Sequence, residues 1–333
     1  MQSAQVRLKR RPVGMPSPDD FEVATVDVPE PGAGEVQVVN LCMSVDPYMR
    51  GRMVDRKSYV PPFQVGEALT GGAIGRVVAS VHPEYREGDI VESHFGWRQA
   101  FTAPAGQLTR LGELAAPPSA YLGVLGMPGM TAYVGLLGAA SLKDGETVFV
   151  SGAAGAVGSV AGQIARLKGC PVVGSAGSAG KVAWLTEELG FQHAFDYHDG
   201  NLLGHLRDGA PGGLDVYFDN VGGAHLEAAL FHMRPFGRIA LCGAISQYNA
   251  TEPVPGPSNL VMAIGLGLTL RGFIVSHFDH LKDDFRRDMT AWVKAGEIRW
   301  QETVYDGIEH APDAFIGLFT GANVGKMIVR LAD

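Results

Sequence analysis

The sequence predicts an α/β fold: a doubly wound parallel sheet, accompanied by a second domain that is β-rich and discontinuous. Apolar strand candidates alternate with helical stretches after Gly126, and a glycine-spaced turn joins the first of these strands to its helix. Short strands broken by Gly and Pro fill residues 20–110.

In chain order, segments 21–26, 35–44, 73–80 and 90–92 are β-prone runs whose spacing suggests a small barrel-like domain. The pattern changes at Gly126. Strand candidates follow at 147–150, 171–174, 193–196, 216–219 and 238–242, with helical periodicity in most of the gaps. Each parallel strand has to be reached by a crossover, which this alternation supplies. In the first crossover Val160, Ile164 and Leu167 recur on one helical face over 159–168. A sixth strand is expected at 268–275, then a helix over 276–296 capped by Ser276. Strand 302–304, helix 311–317 and strand 325–331 close the chain and read as a return to the first domain. The expected division is residues 1–125 with 297–333 in one domain and 126–296 in the other.

Composition bounds the function. With 46% hydrophobic and 19% charged residues, the 333-residue chain has the profile of a soluble globular protein with a sizeable core. A net charge of -8 argues against nucleic acid or an anionic membrane as the main partner, while leaving room for a local basic pocket. Residues 1–12 carry basic side chains with no apolar run behind them, so no secretory signal is read. The longest uncharged apolar run, 260–270, ends at Arg271 and is too short to span a bilayer. Cys42, Cys170 and Cys242 lie far apart, which suits a reducing cytoplasm.

The turn Val150-Ser151-Gly152-Ala153-Ala154-Gly155-Ala156-Val157-Gly158 spaces its glycines as G-x-x-G-x-x-G. Missing side chains let such a backbone turn sharply and approach a pyrophosphate, with the N–H groups of the next helix facing the anion. In a chain with 45 glycines the spacing alone means little, so the strand before it and the helix after it carry the inference. An NAD site usually places a carboxylate about 20 residues further on, at the end of the second strand. Here that place reads Gly174-Ser175-Ala176-Gly177-Ser178-Ala179-Gly180-Lys181, with no carboxylate before Glu187. Ser178 can donate a hydrogen bond and Lys181 supplies positive charge, so NADP(H) is preferred over NAD(H). An isolated lysine in a helix's first turn is ordinarily just solvated; the missing carboxylate is what favours a phosphate role.

Several blocks also carry a family resemblance. They are Asp46-Pro47-Tyr48-Met49-Arg50, Gly126-Met127-Pro128-Gly129-Met130-Thr131-Ala132-Tyr133 and Phe218-Asp219-Asn220-Val221-Gly222-Gly223, followed by Cys242-Gly243-Ala244-Ile245-Ser246-Gln247-Tyr248-Asn249, Arg271-Gly272-Phe273-Ile274-Val275 and Asn323-Val324-Gly325-Lys326. On these blocks the chain resembles the zinc-independent medium-chain dehydrogenase/reductases, in the branch of prostaglandin reductases, leukotriene B4 12-hydroxydehydrogenases and curcumin reductases. The resemblance implies a Rossmann nucleotide domain, a discontinuous GroES-like substrate domain, an active site in a cleft, and homodimers joined through the edge of the nucleotide-domain sheet. It puts Gly155, Ala156, Val157 and Gly158 at the pyrophosphate, and Lys181 and Tyr197 near the 2′-phosphate. It lines the nicotinamide half with Asn220, with Cys242, Gly243, Ala244, Ile245, Ser246, Gln247 and Tyr248, with Phe273, Ile274 and Val275, and with Asn323. One departure is Ala179-Gly180, where the family often has an acidic residue just before the lysine.

The chemistry follows from what is missing. The segment Val65-Gly66-Glu67-Ala68 lacks the histidine of zinc alcohol dehydrogenases, and no four clustered cysteines offer a structural zinc site, so no metal is expected. Ser-His-Phe-Asp-His, with His277 and His280 around Asp279, has no evident third ligand and reads as polar residues in a helix's first turn. Conjugate reduction of an activated C=C bond in a medium-sized, fairly apolar enone is then the simplest hydride chemistry. Charge would develop on the carbonyl oxygen, where a donor such as Tyr248 would stabilise the enolate. The bland alternative is a buried tyrosine whose hydroxyl merely satisfies a backbone carbonyl. Tyr48 is the candidate for the substrate pocket, and Asp46 with Arg50 could equally form a structural ion pair. A quinone reductase, an alcohol dehydrogenase acting at the carbonyl, and a non-catalytic NADPH-binding protein remain as alternatives.

Overall fold

The computed structural model describes residues 1–332, and they form two compact units. The first comprises Met1–Leu122, Glu302–Asn323 and the chain from Met327; the second comprises Gly123–Gln301 and Val324–Lys326. The first unit opens with β1 (Gln2–Leu8), β2 (Phe21–Asp27), β3 (Glu35–Ser44), α1 (Met49–Arg52), β4 (Ala73–Ser80), β5 (Ile90–Ser93), β6 (Ala100–Pro104) and β7 (Thr109–Arg110). The second runs through α2 (Met127–Tyr133), β8 (Val148–Val150), α3 (Gly158–Leu167), β9 (Val172–Ala176), α4 (Ala179–Ala183) and β10 (His193–Asp196). It continues with α5 (Leu202–Gly209), β11 (Leu214–Asp219), α6 (Gly223–Leu230), β12 (Met233–Leu241), α7 (Met262–Leu266), β13 (Thr269–Gly272) and α8 (Lys282–Lys294). Last come β14 (Glu302–Asp306), α9 (Ala311–Gly317) and β15 (Lys326–Arg330).

In the first unit the main sheet runs β14-β15-β3-β4-β5-β7, with β6 also paired to β3. β15 lies antiparallel to β3 with Ile328 opposite Ser44, so both ends of the chain are needed to complete the sheet. Its core joins early and late residues: Phe21 stacks 6.1 Å from Trp97, and Phe315 of α9 meets both rings edge-on. Burying a ring of that size contributes about 1.5–3 kcal/mol. β1 and β6 are strands that the sequence pattern does not announce. β1 alternates weakly, yet it pairs with β2 along its whole length and buries Ser3, Val6 and Leu8. Its partner makes it a strand.

The second unit is a six-stranded sheet in the order β10-β9-β8-β11-β12-β13. Every neighbouring pair is parallel. β8 is fully apolar and buried, as a strand covered on both faces must be. From β8 the chain winds outward to β10, then returns to β11 on the other side, which makes the β8/β11 gap the switch point of a Rossmann sheet. Ligands of such sheets bind beyond the carboxyl ends of the strands at that point.

Two expectations are corrected. The sixth strand is confined to β13, because the chain turns inward at Phe273 to bury its ring, 6.1 Å from Phe218. The helix expected over 276–296 is broken. A short 3-10 helix, Val275–Leu281, leaves helical geometry at Phe278 (φ -123°, ψ 30°), and α8 begins only after it. Burying Phe278 edge-on against Phe273 redirects the backbone there. Ser276 therefore does not cap α8; its N-cap position is Leu281, with Asp283 and Asp284 placed to favour the positive end of the helix. The units exchange chain at 122/123 and 301/302. Gln163 of α3 holds Arg299 by its N–H and its carbonyl, both at 2.8 Å, and so keeps that stretch with the second unit.

Candidate cofactor and catalytic site

The glycine turn closes the β8 end of the second unit. Gly152 has φ of 59°, which favours glycine, and its carbonyl accepts the Gly155 N–H at 3.0 Å. A Cβ on Gly158 would lie 2.4 Å from the Gly152 oxygen, so the start of α3 can approach the turn only without a side chain. The turn is tied sideways as well: Ala153 N–H donates to Ser175 O of β9, and Gly325 N–H donates to Ala154 O, each at 2.8 Å. Gly155, Ala156 and Val157 stay half-exposed. The first N–H groups of a helix have no partner inside it, and those of the ten-residue α3 begin here.

At the ends of β9 and β10 the structure brings Ser178, Lys181 and Tyr197 together. Asp196 sits opposite Ala176 in the ladder, so Tyr197 directly follows β10 beside the turn that leaves β9. A Cβ on Gly177 would lie 3.1 Å from the Tyr197 hydroxyl. Ser178 caps α4, its Oγ accepting the Lys181 N–H at 3.4 Å, which leaves the hydroxyl proton to donate. Lys181 is half-buried; burial pulls its ammonium below the ordinary lysine range, and Asp196 opposes that shift. With no carboxylate on the turn after β9, this donor set fits a dinucleotide that carries a 2′-phosphate.

The other half of the site rests on a buried network that the sequence reading passed over. Asp219, at the end of β11, is 1% exposed. Its Oδ1 accepts from the Tyr217 hydroxyl at 2.6 Å, the Gly222 N–H at 2.8 Å, the Val221 N–H at 3.0 Å and the Ser151 hydroxyl at 3.2 Å. Burial pushes the Asp219 carboxyl up, and these donors oppose it. Asn220 donates its N–H to Ser151 Oγ at 3.1 Å and its amide to Ser151 O at 2.8 Å. β8 and β11 are thereby locked where the sheet switches direction. The only signal in the sequence is an aspartate ending an apolar strand before Asn-Val-Gly-Gly.

Residues 242–248 then leave β12 along this network, Cys242 and Gly243 N–H donating to Asp219 O at 2.9 and 3.0 Å. Ser246 Oγ, on the exposed side, donates to Val221 O at 2.6 Å. Ile245 and Gln247 are half-buried in the short 3-10 turn between them. A cleft of about 360 Å³ opens here, lined by Asp219, Gly222, Cys242, Gly243, Ala244 and Tyr248 among others. The Tyr248 hydroxyl accepts the Ala244 N–H at 3.2 Å. Burial, Cys242 and Asp219 raise its pKa while that N–H opposes them, so the phenol stays protonated. The Cys242 thiol is pushed up to about 12, first by burial and then by Asp219, which makes it neither a nucleophile nor a ready metal ligand.

The remaining candidates separate. The Phe273 side chain packs into the aromatic core, while Ile274 and Val275 stay half-buried. Asn323 immediately precedes Val324–Lys326, the segment whose Gly325 bonds the glycine turn. Tyr48 belongs to the first unit and is half-buried; burial and Asp46 push its phenol up, and the nearby Arg52 opposes them. Arg50 donates to the carbonyls of Pro12 and Gly14 at 3.3 and 2.9 Å, and Asp46 accepts from the Ser44 hydroxyl. His277 and His280 are exposed. Among the described residues no group of three or more His, Cys, Asp or Glu side chains could hold a metal ion, and no helix is long and apolar enough to cross a membrane.

Two family models match the chain. Residues 4–111 match an N-terminal domain of oxidoreductases, and residues 156–295 match one described as zinc-binding dehydrogenase. The chain is 44% identical to the NADPH-dependent curcumin reductase of Escherichia coli, covering 98% of this chain and 96% of that one. It is 43% identical to the NADP(+)-dependent 2-alkenal reductase of Nicotiana tabacum, over 98% and 97% of the two chains. CurA from Vibrio vulnificus, solved in complex with NADPH, superposes with a TM-score of 0.94 at 40% identity, over 99% of both chains.

Proposed function

This chain belongs to the zinc-independent medium-chain dehydrogenase/reductases, and from that premise we propose that it reduces the C=C bond of α,β-unsaturated ketones and aldehydes with NADPH. It is an NADP-dependent oxidoreductase, and NADP(H) is its cofactor. Bound NADPH supplies the hydride, which adds at the carbon β to the carbonyl.

The protein's part is to hold the charge that develops on the carbonyl oxygen. Tyr248 carries this reading. Its oxygen already accepts the Ala244 N–H, so the hydroxyl's one proton is left to donate into the cleft. A tyrosine that merely satisfied a backbone carbonyl would have spent that proton. Donation to the substrate oxygen strengthens as the enolate forms, and the Ala244 N–H behind it supports the partial charge left on the phenol. The glycine turn, Ser178 and Lys181 position the cofactor, and the lock among Ser151, Asp219 and Asn220 holds the loop bearing Tyr248. Tyr48 lines the substrate pocket in the first unit.

The test follows NADPH absorbance with an enone, a quinone and a saturated ketone as oxidants. Fast turnover of the enone alone supports the reading. Preference for the quinone or the ketone moves the enzyme to one of the other reductase chemistries, and no turnover of any of them favours a binding protein. Tyr248→Phe separates the donor role: it should lose enone turnover and keep NADPH affinity, and unchanged turnover would sink that assignment. The homodimer would pair β13, the last strand in the sheet order, near which Val261 and Ile264 are 67% and 82% exposed. Sedimentation as a monomer would remove it. The three free thiols suit a reducing cytoplasm.

A further inference from the structure

Beside Ser178 and Lys181 stands a titratable side chain that the cofactor assignment does not use. His198 lies two residues past the end of β10, its ring 4.2 Å from that of Tyr197. Asp196 Oδ1 accepts the His198 N–H at 3.0 Å and lies 3.0 Å from the ring's Nδ1. An ionised carboxylate only accepts, so the proton of this contact sits on Nδ1. The state of Nε2 is then decisive: in the neutral ring it is a bare acceptor, and in the imidazolium it is a donor. The ring faces the turn after β9, since a Cβ on Gly177 would lie 3.3 Å from Cε1, the carbon bonded to Nε2.

The local charges point the same way. Lys181 is positive, and Asp196, close enough to act on it, is negative. With a neutral His198 the two cancel, which is a poor setting for a phosphate dianion. With an imidazolium the group carries a net positive charge and an added charge-assisted donor. The other groups around the ring are Asp199, next in the same turn, the Tyr197 hydroxyl, and His225 of α6, which meets the Tyr197 ring edge-on at 5.4 Å and is kept neutral by burial. Of the two histidines, His198 is the exposed one.

We propose that His198 selects the cofactor, meeting the 2′-phosphate as an imidazolium oriented by Asp196, so that NADP(H) binding draws a proton onto its ring. This rests on the NADP(H) reading of the Ser178 and Lys181 turn. The His198 side chain is 63% exposed, which limits the effect.

Affinities for NADPH and NADH at pH 6.5 and pH 8.5, with calorimetry in two buffers of different ionisation enthalpy to count protons, test it. Wild-type enzyme should take up a fraction of a proton with NADPH and bind it about three- to tenfold more weakly at the higher pH, with NADH showing neither effect. His198→Asn should lose the uptake and bind NADPH about three- to tenfold more weakly at pH 6.5. His198→Lys, a fixed cation, should keep the affinity and lose the pH dependence. The 2′-phosphate's own protonation, with a second pKa of about 6, weakens binding at low pH and does so equally in all three proteins. If His198→Asn matches wild type in NADPH affinity and proton uptake, the proposal falls while NADP(H) preference stands. If wild type binds NADPH and NADH equally at both pH values, the underlying cofactor reading falls instead.

Discussion

The two ends of the cofactor crevice are built by opposite means. Around β9 and β10 the site consists of a turn and outward side chains: Ser178 and Tyr197 are exposed, and Lys181 is half-buried. Around β11 and β12 it consists of a loop held from beneath by Asp219 and Tyr217, which are 1% and 0% exposed. On the proposed reading the first end would work by charge and tolerate solvent, and the second by position, because a hydroxyl stabilises an enolate only where it has been fixed in advance. Changes at the second end should therefore be the costlier ones.

Four experiments sharpen or break that contrast. The largest effect is expected from Tyr248→Phe, which should lower kcat about 100- to 1000-fold with NADPH affinity retained, measured by steady-state kinetics and direct binding. A comparable loss of NADPH affinity would make the tyrosine a structural prop. Next is the pH response of the buried layer. His225 is 5% exposed and its pKa is held down to about 4 by burial. The fold therefore disfavours the proton: this stabilisation is present above the ordinary histidine pKa of about 6.5 and fades as pH falls from there toward about 4. Urea unfolding should lose on the order of 3 kcal/mol across that window, and His225→Phe should flatten it.

The exposed end should give smaller numbers. Lys181→Ala is expected to weaken NADPH binding about tenfold while leaving NADH nearly unchanged, as read by fluorescence titration. Equal losses for both would refute the phosphate assignment. Ser178→Ala removes a helix cap and a phosphate donor together, and should cost about 0.5–2 kcal/mol in unfolding stability along with a few-fold of NADPH affinity. Should either change outweigh Tyr248→Phe, the contrast between the two ends would be lost.

The same contrast explains what could be read in advance. The glycine turn, the missing carboxylate after β9 and Lys181 lie within one stretch of chain, and local pattern shows them. β10 matches its expected span of 193–196, a short run bounded on both sides. The Asp219 lock is not legible in the sequence: Ser151 and Asp219 each lie in a recognisable block, but the two blocks are 68 residues apart and nothing local pairs them. His198 was missed for a related reason: its relation to the turn after β9 exists only once β9 and β10 are paired. The break at Phe278 was hidden because the polar residues around it continue a helical pattern that its burial interrupts.

By itself the sequence determined the alternation of strands and crossovers, the glycine turn between the first strand and its helix, and the preference for NADP(H). Each depends on backbone preference or on residues close in the chain. Only the tertiary structure decided that the Tyr248 hydroxyl accepts the Ala244 N–H and that β8 and β11 are pinned by a buried carboxylate. Only the tertiary structure, too, decided that the C-terminal strand completes the sheet begun by β3. Hydrogen bonds and burial between distant segments come into being with the fold, and no local pattern records them.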